Sequence, residues 1–405
     1  MYHQWRADFP ILDRKVHNHT LVYLDNAATS QMPRQVIESI AKHHMQDHAN
    51  IHRGIHQLSE ISTKKVEDAR ELIAQFVGCR EGSIIFTAGT TDAINIVAAG
   101  YREMLTKQDA IMVTQLEHHS NYVPWQQACF RSGAEFLVCP AKDGELDLDY
   151  MEEMLKTRQV RLVAVAHVTN LTGTVNPIKE IVALAHRYKA KVLIDGAQGI
   201  LHQGIDVHDL DCEYYCFSGH KMLGPTGIGV LYGKTECLNN LKKVRFGGGM
   251  VDLVTEKETT WGPIPHCFEA GTPNITGAIG LAEAVRYINE HDFLAIRNWE
   301  EELLAYTVER LEKIEGVRIF GHPKIRAGAV SFEIEGVHPY DLASMIDKMG
   351  IAVRSGNLCA QPALASLGAD KAVRISPAFY NTKQDIDSAL EAMQRVIKVL
   401  LQYKV

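Results

Sequence analysis

A chain of 405 residues, 46% apolar and 22% charged, has the profile of a globular protein. It is too long for one simple hydrophobic core, so two unequal domains are expected. A net charge of −7 without any block of basic residues argues against nucleic acid as the main partner. No stretch approaches the ~18 consecutive apolar residues of a membrane span. The start "MYHQWRADFPIL" has no basic flank leading into an apolar run, so no secretory signal is read there and a cytoplasmic protein is expected.

From about Val22 to about Gly229, amphipathic and short apolar segments alternate. "RQVIESIAKHH" and "KKVEDARELIAQFV" have helical spacing. "SIIFT", "AIMVT", "EFLVC", "RLVAVAHV" and "KVLIDGA" are β-rich runs bounded by turn residues, and "CEYYCFS" adds a strand ending at Ser218. Continuous apolar strands between helices predict a mostly parallel sheet covered on both faces, with ligands beyond the carboxyl ends of its strands. The last third differs. A helical stretch from about Asp292 to Ile314 leads to "GAVSFEIEG", a helix from near Tyr340, and "GIAVRSG". Ile386, Ala389, Leu390, Met393, Ile397 and Leu400 then form the one-sided stripe of a closing helix. That pattern predicts a smaller α+β domain.

The strand ends carry the chemistry. In "IIFTAGTTDAIN" a Gly89-Thr90-Thr91 turn opens a helix, which is either an ordinary capped start or a phosphate cradle of backbone N–H groups and threonine hydroxyls. "QLEHHSNYVPW" places His118 after a strand, as a core histidine or as a flat ring that stacks on a flat cofactor. Asn170 in "RLVAVAHVTNLTG" could reach a substrate carboxylate or a ring oxygen. Asp195 in "KVLIDGAQG" either caps a helix or holds a cationic ring nitrogen, with Gln198 one turn further on. "CFSGHKMLGPTGIGVLYG" sets Lys221 on a glycine-rich turn that is not a P-loop, because the lysine precedes the glycines. Such a lysine is a solvated turn residue or, with its pKa lowered, a Schiff-base former. Taken together, these strand ends fit a pyridoxal 5'-phosphate (PLP) site in which Lys221 carries the cofactor and Ser218 and His220 bind its phosphate.

Eight cysteines are spread without C-x-x-C pairs, and Cys212 and Cys216 lack further partners at zinc-like spacing. They are expected to be reduced thiols, with no metal site. Cys359 in "IAVRSGNLCAQP" stands apart, because polar residues precede it and Arg354 could favour its thiolate.

The motifs "RADFPIL", "YLDNAATSQMP", "NIHRGIHQLS", "GTTDAIN", "LEHHSNYVPW", "IDGAQG", "FSGHKMLGPTGIGVLYG", "FEAGTPN" and "YNT" run nearly end to end. They resemble the group II (SufS-like) cysteine desulfurases among the class V, fold type I PLP enzymes. The resemblance implies a large PLP-binding domain over residues 21–275 with a mostly parallel, seven-stranded sheet. A small C-terminal domain over 276–405 would carry the cysteine loop, and a segment over 1–20 would pack on it. It implies that Lys221 bonds the cofactor, Asp195 partners the pyridine nitrogen, Gln198 bonds the phenolic oxygen and His118 stacks on the ring. Thr90, Thr91, Ser218 and His220 would surround the phosphate, and Thr272 would reach across from the second subunit of a homodimer. Arg374, with Asn170 and Arg354 nearby, would bind the substrate carboxylate, and Cys359 would accept sulfur as a persulfide.

The implied activity is release of sulfur from L-cysteine, leaving L-alanine, with His118 a candidate acid near the substrate thiol. A small SufE- or SufU-type acceptor would then serve iron–sulfur assembly or another sulfur transfer. Two departures from the family stand out: Asn357-Leu358 replaces a histidine pair before the cysteine, and Asp92 replaces a glutamate. The alternatives are a selenocysteine lyase or cysteine sulfinate desulfinase and, from another class, a PLP-binding regulatory paralogue without turnover.

Overall fold

The computed structural model describes residues 5–402, so Met1–Gln4 of the expected N-terminal segment lie outside the described residues. The dominant sheet has seven strands: β1 (Ser83–Thr87), β2 (Asp109–Thr114), β3 (Glu135–Cys139), β4 (Gln159–Ala166), β5 (Lys191–Asp195), β6 (Tyr214–Ser218) and β7 (Gly229–Gly233). Their spatial order is β1-β7-β6-β5-β4-β2-β3. Only β7 runs against its neighbours. The physical reason is the connection: Gly219–Ile228 is too short for the crossover a parallel return requires, so the chain doubles back. Every residue of β2, β6 and β7 is buried, as a sheet covered on both faces demands.

Helices α1 (Arg34–Gln46), α2 (Gln57–Phe76), α3 (Thr90–Arg102), α4 (His119–Ser132) and α5 (Ile275–Asn289) matter for the site. α5 packs on α1 and α2, and α3 packs on α4. The long helix expected from Asp292 spans Phe293–Glu312, with the Asp292 side chain capping Ala295 N at 3.0 Å.

The C-terminal part contains an antiparallel sheet of β8 (Val317–Ile319), β9 (Val330–Ile334), β10 (Arg354–Gly356) and β11 (Ala372–Ile375), ordered β8-β9-β11-β10. The closing helix, Lys383–Gln402, buries Ile386, Ala389, Leu390, Met393 and Ile397, whereas Leu400 is only half-buried. "GIAVRSG" is not one strand. Ile351–Ala352 pairs in parallel with Val22–Tyr23, and the chain then switches so that β10 pairs with β11.

Residues near the N-terminus dock on the C-terminal part. Phe9 packs on Phe379 and Tyr380, and Arg6 bridges to Asp385 at 3.0 Å. Among the described residues no helix is long and apolar enough to cross a membrane.

Candidate active site

Five strand ends converge on one cavity of about 230 Å³. It collects Thr90, Thr91, His118, Asn170, Asp195, Gln198, Ser218, His220, Lys221, Arg354, Cys359 and Arg374. Of the residues expected at the site, only Thr272 stays outside; it is exposed on the segment before α5.

One corner is built of hydroxyls and backbone donors at the start of α3. Ser218 Oγ accepts from Thr90 N and meets Thr90 Oγ1, each at 2.8 Å. Thr91 Oγ1 lies 2.6 Å from Ser120 Oγ. The turn closes tightly because Gly89 and Gly229 touch backbone to backbone, and a Cβ on Gly229 would collide with Gly89. His220 Nδ1 contacts Thr29 Oγ1 at 2.9 Å, and burial lowers the ring's pKa to about 4, so it is neutral. Asp92 caps Ala88 N at 2.9 Å and pairs with Arg245.

Across the cavity, Asp195 is buried at the end of β5, and its Oδ1 accepts from Ala197 N at 2.9 Å. Burial raises its pKa, opposed by that hydrogen bond and by Lys221. Gln198 is anchored through Nε2 to the Ala27 carbonyl at 2.7 Å. His118 caps α4: Ser120 N donates to its Nδ1 at 3.1 Å, which leaves the ring proton on Nε2. Burial, then the charge of Lys221, lowers the His118 pKa to about 3, so the ring is neutral. Beneath it, Glu117 is fully buried and accepts from Thr114, Asn121 and Ala166 N. Burial raises its pKa to about 8.

Lys221 sits on a short turn after β6 and forms no ion pair among the described residues. Desolvation lowers its pKa to about 8, partly offset by Asp195, so an appreciable fraction is the free amine near neutral pH.

The third wall comes from the C-terminal part. Arg374 on β11 is buried, donates to the Asn170 carbonyl at 3.1 Å and to Asp25 at 3.2 Å, and leaves Nε without a partner among the described residues. Arg354 is half-exposed and lies 3.8 Å from the other Asp25 oxygen. Asp25 thus holds two guanidiniums facing the cavity.

Cys359 lies on a loop pinned from several sides. Asn170 Nδ2 donates to the Leu358 carbonyl at 2.7 Å, and His119 N donates to the Cys359 carbonyl at 2.8 Å. Gln361 N donates to His119 Nε2 at 3.2 Å, and Cys359 N to Asn357 Oδ1 at 3.1 Å. Leu358 is buried in a cluster with Leu116, Leu171, Phe320 and Leu364. The two residues that replace the family's histidine pair therefore shape the loop: Asn357 caps it and Leu358 anchors it.

Sequence reasoning missed Asp25, Thr29, Ser120 and His119 as site residues. Asp25 and Thr29 lie in "YLDNAATSQMP" and Ser120 and His119 in "LEHHSNYVPW", motifs that carried the resemblance without a role for these side chains.

Strand ends of the seven-stranded sheet and residues of the small antiparallel sheet line one cavity that holds a desolvated lysine and a buried aspartate, which defines a lysine-centred α/β enzyme site. The aminotransferase class-V family model matches residues 22–389, and the chain belongs to that family. The "Probable cysteine desulfurase" of Halalkalibacterium halodurans is 45% identical over 396 residues, 97% of each protein. Its namesake from Staphylococcus epidermidis is 46% identical, covering 96% of this chain and 95% of that one. Among solved structures, the cysteine desulfurase CsdA from Escherichia coli superposes with a TM-score of 0.91 at 36% identity, covering 98% of this chain and 99% of that one. The apo cysteine desulfurase of Thermococcus onnurineus gives 0.92 at 36% identity over 97% of each. The family is PLP-dependent, and cysteine desulfurases are commonly dimeric.

Proposed function

We propose that this chain is a PLP-dependent cysteine desulfurase that takes sulfur from L-cysteine onto Cys359 and leaves L-alanine. The observation that carries this reading is one cavity in which Lys221, Asp195, Arg374 and Cys359 meet from four distant stretches of chain.

The residues fit the cofactor. Hydroxyls and helix N–H groups at Thr90, Thr91 and Ser218 suit a phosphate. The buried Asp195 carboxylate, without a cationic hydrogen-bond partner among the described residues, suits a protonated ring nitrogen, and the neutral His118 ring suits a flat aromatic face. When bound, PLP supplies an electron sink for the substrate α-carbon.

The chain's own side chains do the rest. Lys221 holds the cofactor and, as the free amine its low pKa favours, takes a proton from the substrate. Arg374, preorganised by Asp25 and with Nε still unsatisfied, takes the carboxylate through its planar fork, with Arg354 at the rim. Asn170 positions the cysteine loop. The Cys359 thiolate attacks the substrate sulfur, an S–S bond forms, and the C–S electron pair stays with carbon, which is protonated to give alanine.

His118, held neutral, serves first as the stacking ring; any acid role there requires it to gain a proton once the site is filled. Thr272 is assigned to the neighbouring subunit's cofactor site in a homodimer. The acceptor is a small SufE- or SufU-type protein, the compartment the cytoplasm, and the domain boundaries those expected at 20/21 and 275/276.

The test is Cys359→Ala. It should bind PLP and cysteine and yield almost no alanine, while wild type without reductant gains one sulfur mass on the "NLCAQP" peptide. Full desulfuration by Cys359→Ala would instead indicate a lyase that expels sulfur or selenium directly.

A further inference from the structure

We propose a divalent transition-metal site outside the catalytic cavity, formed by His52, Glu67 and His266. His52 lies in the loop between α1 and α2, Glu67 on α2, and His266 at the start of the short turn His266–Phe268. One ligand-capable atom from each lies within 4.8 Å of the other two. None of the three lines the cavity that holds Lys221 and Cys359.

The local geometry resembles a ligand set with its supports in place. His52 Nε2 lies 3.8 Å from Glu67 Oε1. Arg70 takes Glu67 Oε2 at 3.0 Å and touches Oε1 only at 3.5 Å, so one oxygen is free to turn toward the imidazoles. The two histidine rings meet edge to face with centroids 5.1 Å apart. Behind His266, Glu269 Oε2 approaches Nδ1 at 3.9 Å. That carboxylate is itself fixed by Arg70 at 2.6 and 3.0 Å and by Phe86 N at 2.7 Å. A carboxylate behind an imidazole orients the ring and leaves Nε2 for a metal.

Charge and size agree. Glu67 and Glu269 against Arg70 leave these three groups with one excess negative charge. Two imidazoles and one carboxylate favour zinc-like ions over magnesium or calcium, which take oxygen ligands. Zinc bonds of about 2.0–2.2 Å draw ligand atoms closer than the 3.8 Å between His52 Nε2 and Glu67 Oε1. The side chains can supply that closure, because those of His52, Glu67 and His266 are 39%, 38% and 32% exposed. A bound ion would tie the loop before α2 to the segment that leads to Thr272.

The test uses the full-length, PLP-loaded enzyme, stripped with a chelator and titrated with Zn²⁺ by calorimetry and with Co²⁺ by visible absorption. Wild type should take one equivalent per chain at this site. His266→Gln and Glu67→Gln should each weaken binding at least as much as loss of an outer-shell partner does, roughly 10–100-fold, with cofactor absorbance unchanged. Wild type that binds no stoichiometric metal, variants that bind as tightly, or a thiolate charge-transfer band from Co²⁺ would each overturn the assignment.

Discussion

Replacing Asn170 with alanine removes the amide that holds the Leu358 carbonyl at 2.7 Å, and both groups are buried. Leu358 and Cys359 each have φ of 52°, the left-handed region. Holding a non-glycine residue in a sparsely populated conformation costs of the order of 1–3 kcal/mol. The loop is therefore kept in place by its contacts rather than by its own preference. Leaving a buried carbonyl unsatisfied costs a further ~1–3 kcal/mol. If that penalty falls on the state with Cys359 in the cavity, its population drops about 5- to 150-fold at 1.36 kcal/mol per decade. Arg374 contacts the Asn170 backbone carbonyl, which alanine keeps, so the substrate carboxylate site is spared. The expected result for Asn170→Ala is thus a fall in kcat with little change in KM for cysteine and normal PLP absorbance. Alanine release against cysteine concentration measures both constants. A kcat within about twofold of wild type, or a loss confined to KM, would refute the clamp.

Arg374→Lys keeps a charge beside Asp25 but loses the fork, so KM should rise about tenfold or more while PLP content stays normal; unchanged kinetics would move the carboxylate site to Arg354. Asp195→Ala should cut turnover by ~100–1000-fold through loss of a preorganised charge, and an enzyme within about threefold of wild type would mean another group faces the ring nitrogen. With the Lys221 pKa at about 8, its nucleophilic free amine is lost as pH falls below that value. Capture of PLP by apoenzyme, trapped with borohydride, should therefore rise with pH to a midpoint near 8, whereas a midpoint close to that of an ordinary lysine would contradict the burial argument. His118, at about 3, should add no step to that profile between pH 5 and 9.

The large sheet and the strand-end residues were legible because both follow from local pattern. Apolar runs such as "AIMVT" show where strands lie, and the crevice rule says which side chains, just past each run, share one space. Lys221, Asp195, Ser218 and Thr90 lie at or just past such runs, and all four line the cavity. What stayed hidden depends on which distant segments meet. Asp25 looks like a turn residue until Val22–Tyr23 is seen pairing with Ile351–Ala352, which brings it to Arg374 and Arg354. The same pairing splits "GIAVRSG" into two strands with different partners, a division no run of side chains announces. The Asn170 Nδ2 spends a hydrogen bond on the cysteine loop, a contact that exists because only the fold brings Leu358 beside it, while its Oδ1 finds no partner among the described residues. His119, overlooked next to His118, contributes a backbone N–H and a ring nitrogen to that loop. Residues at the strand ends of the seven-stranded sheet thus line the cavity and also grip the loop that carries Cys359, so the site depends on how distant segments meet as well as on any one motif.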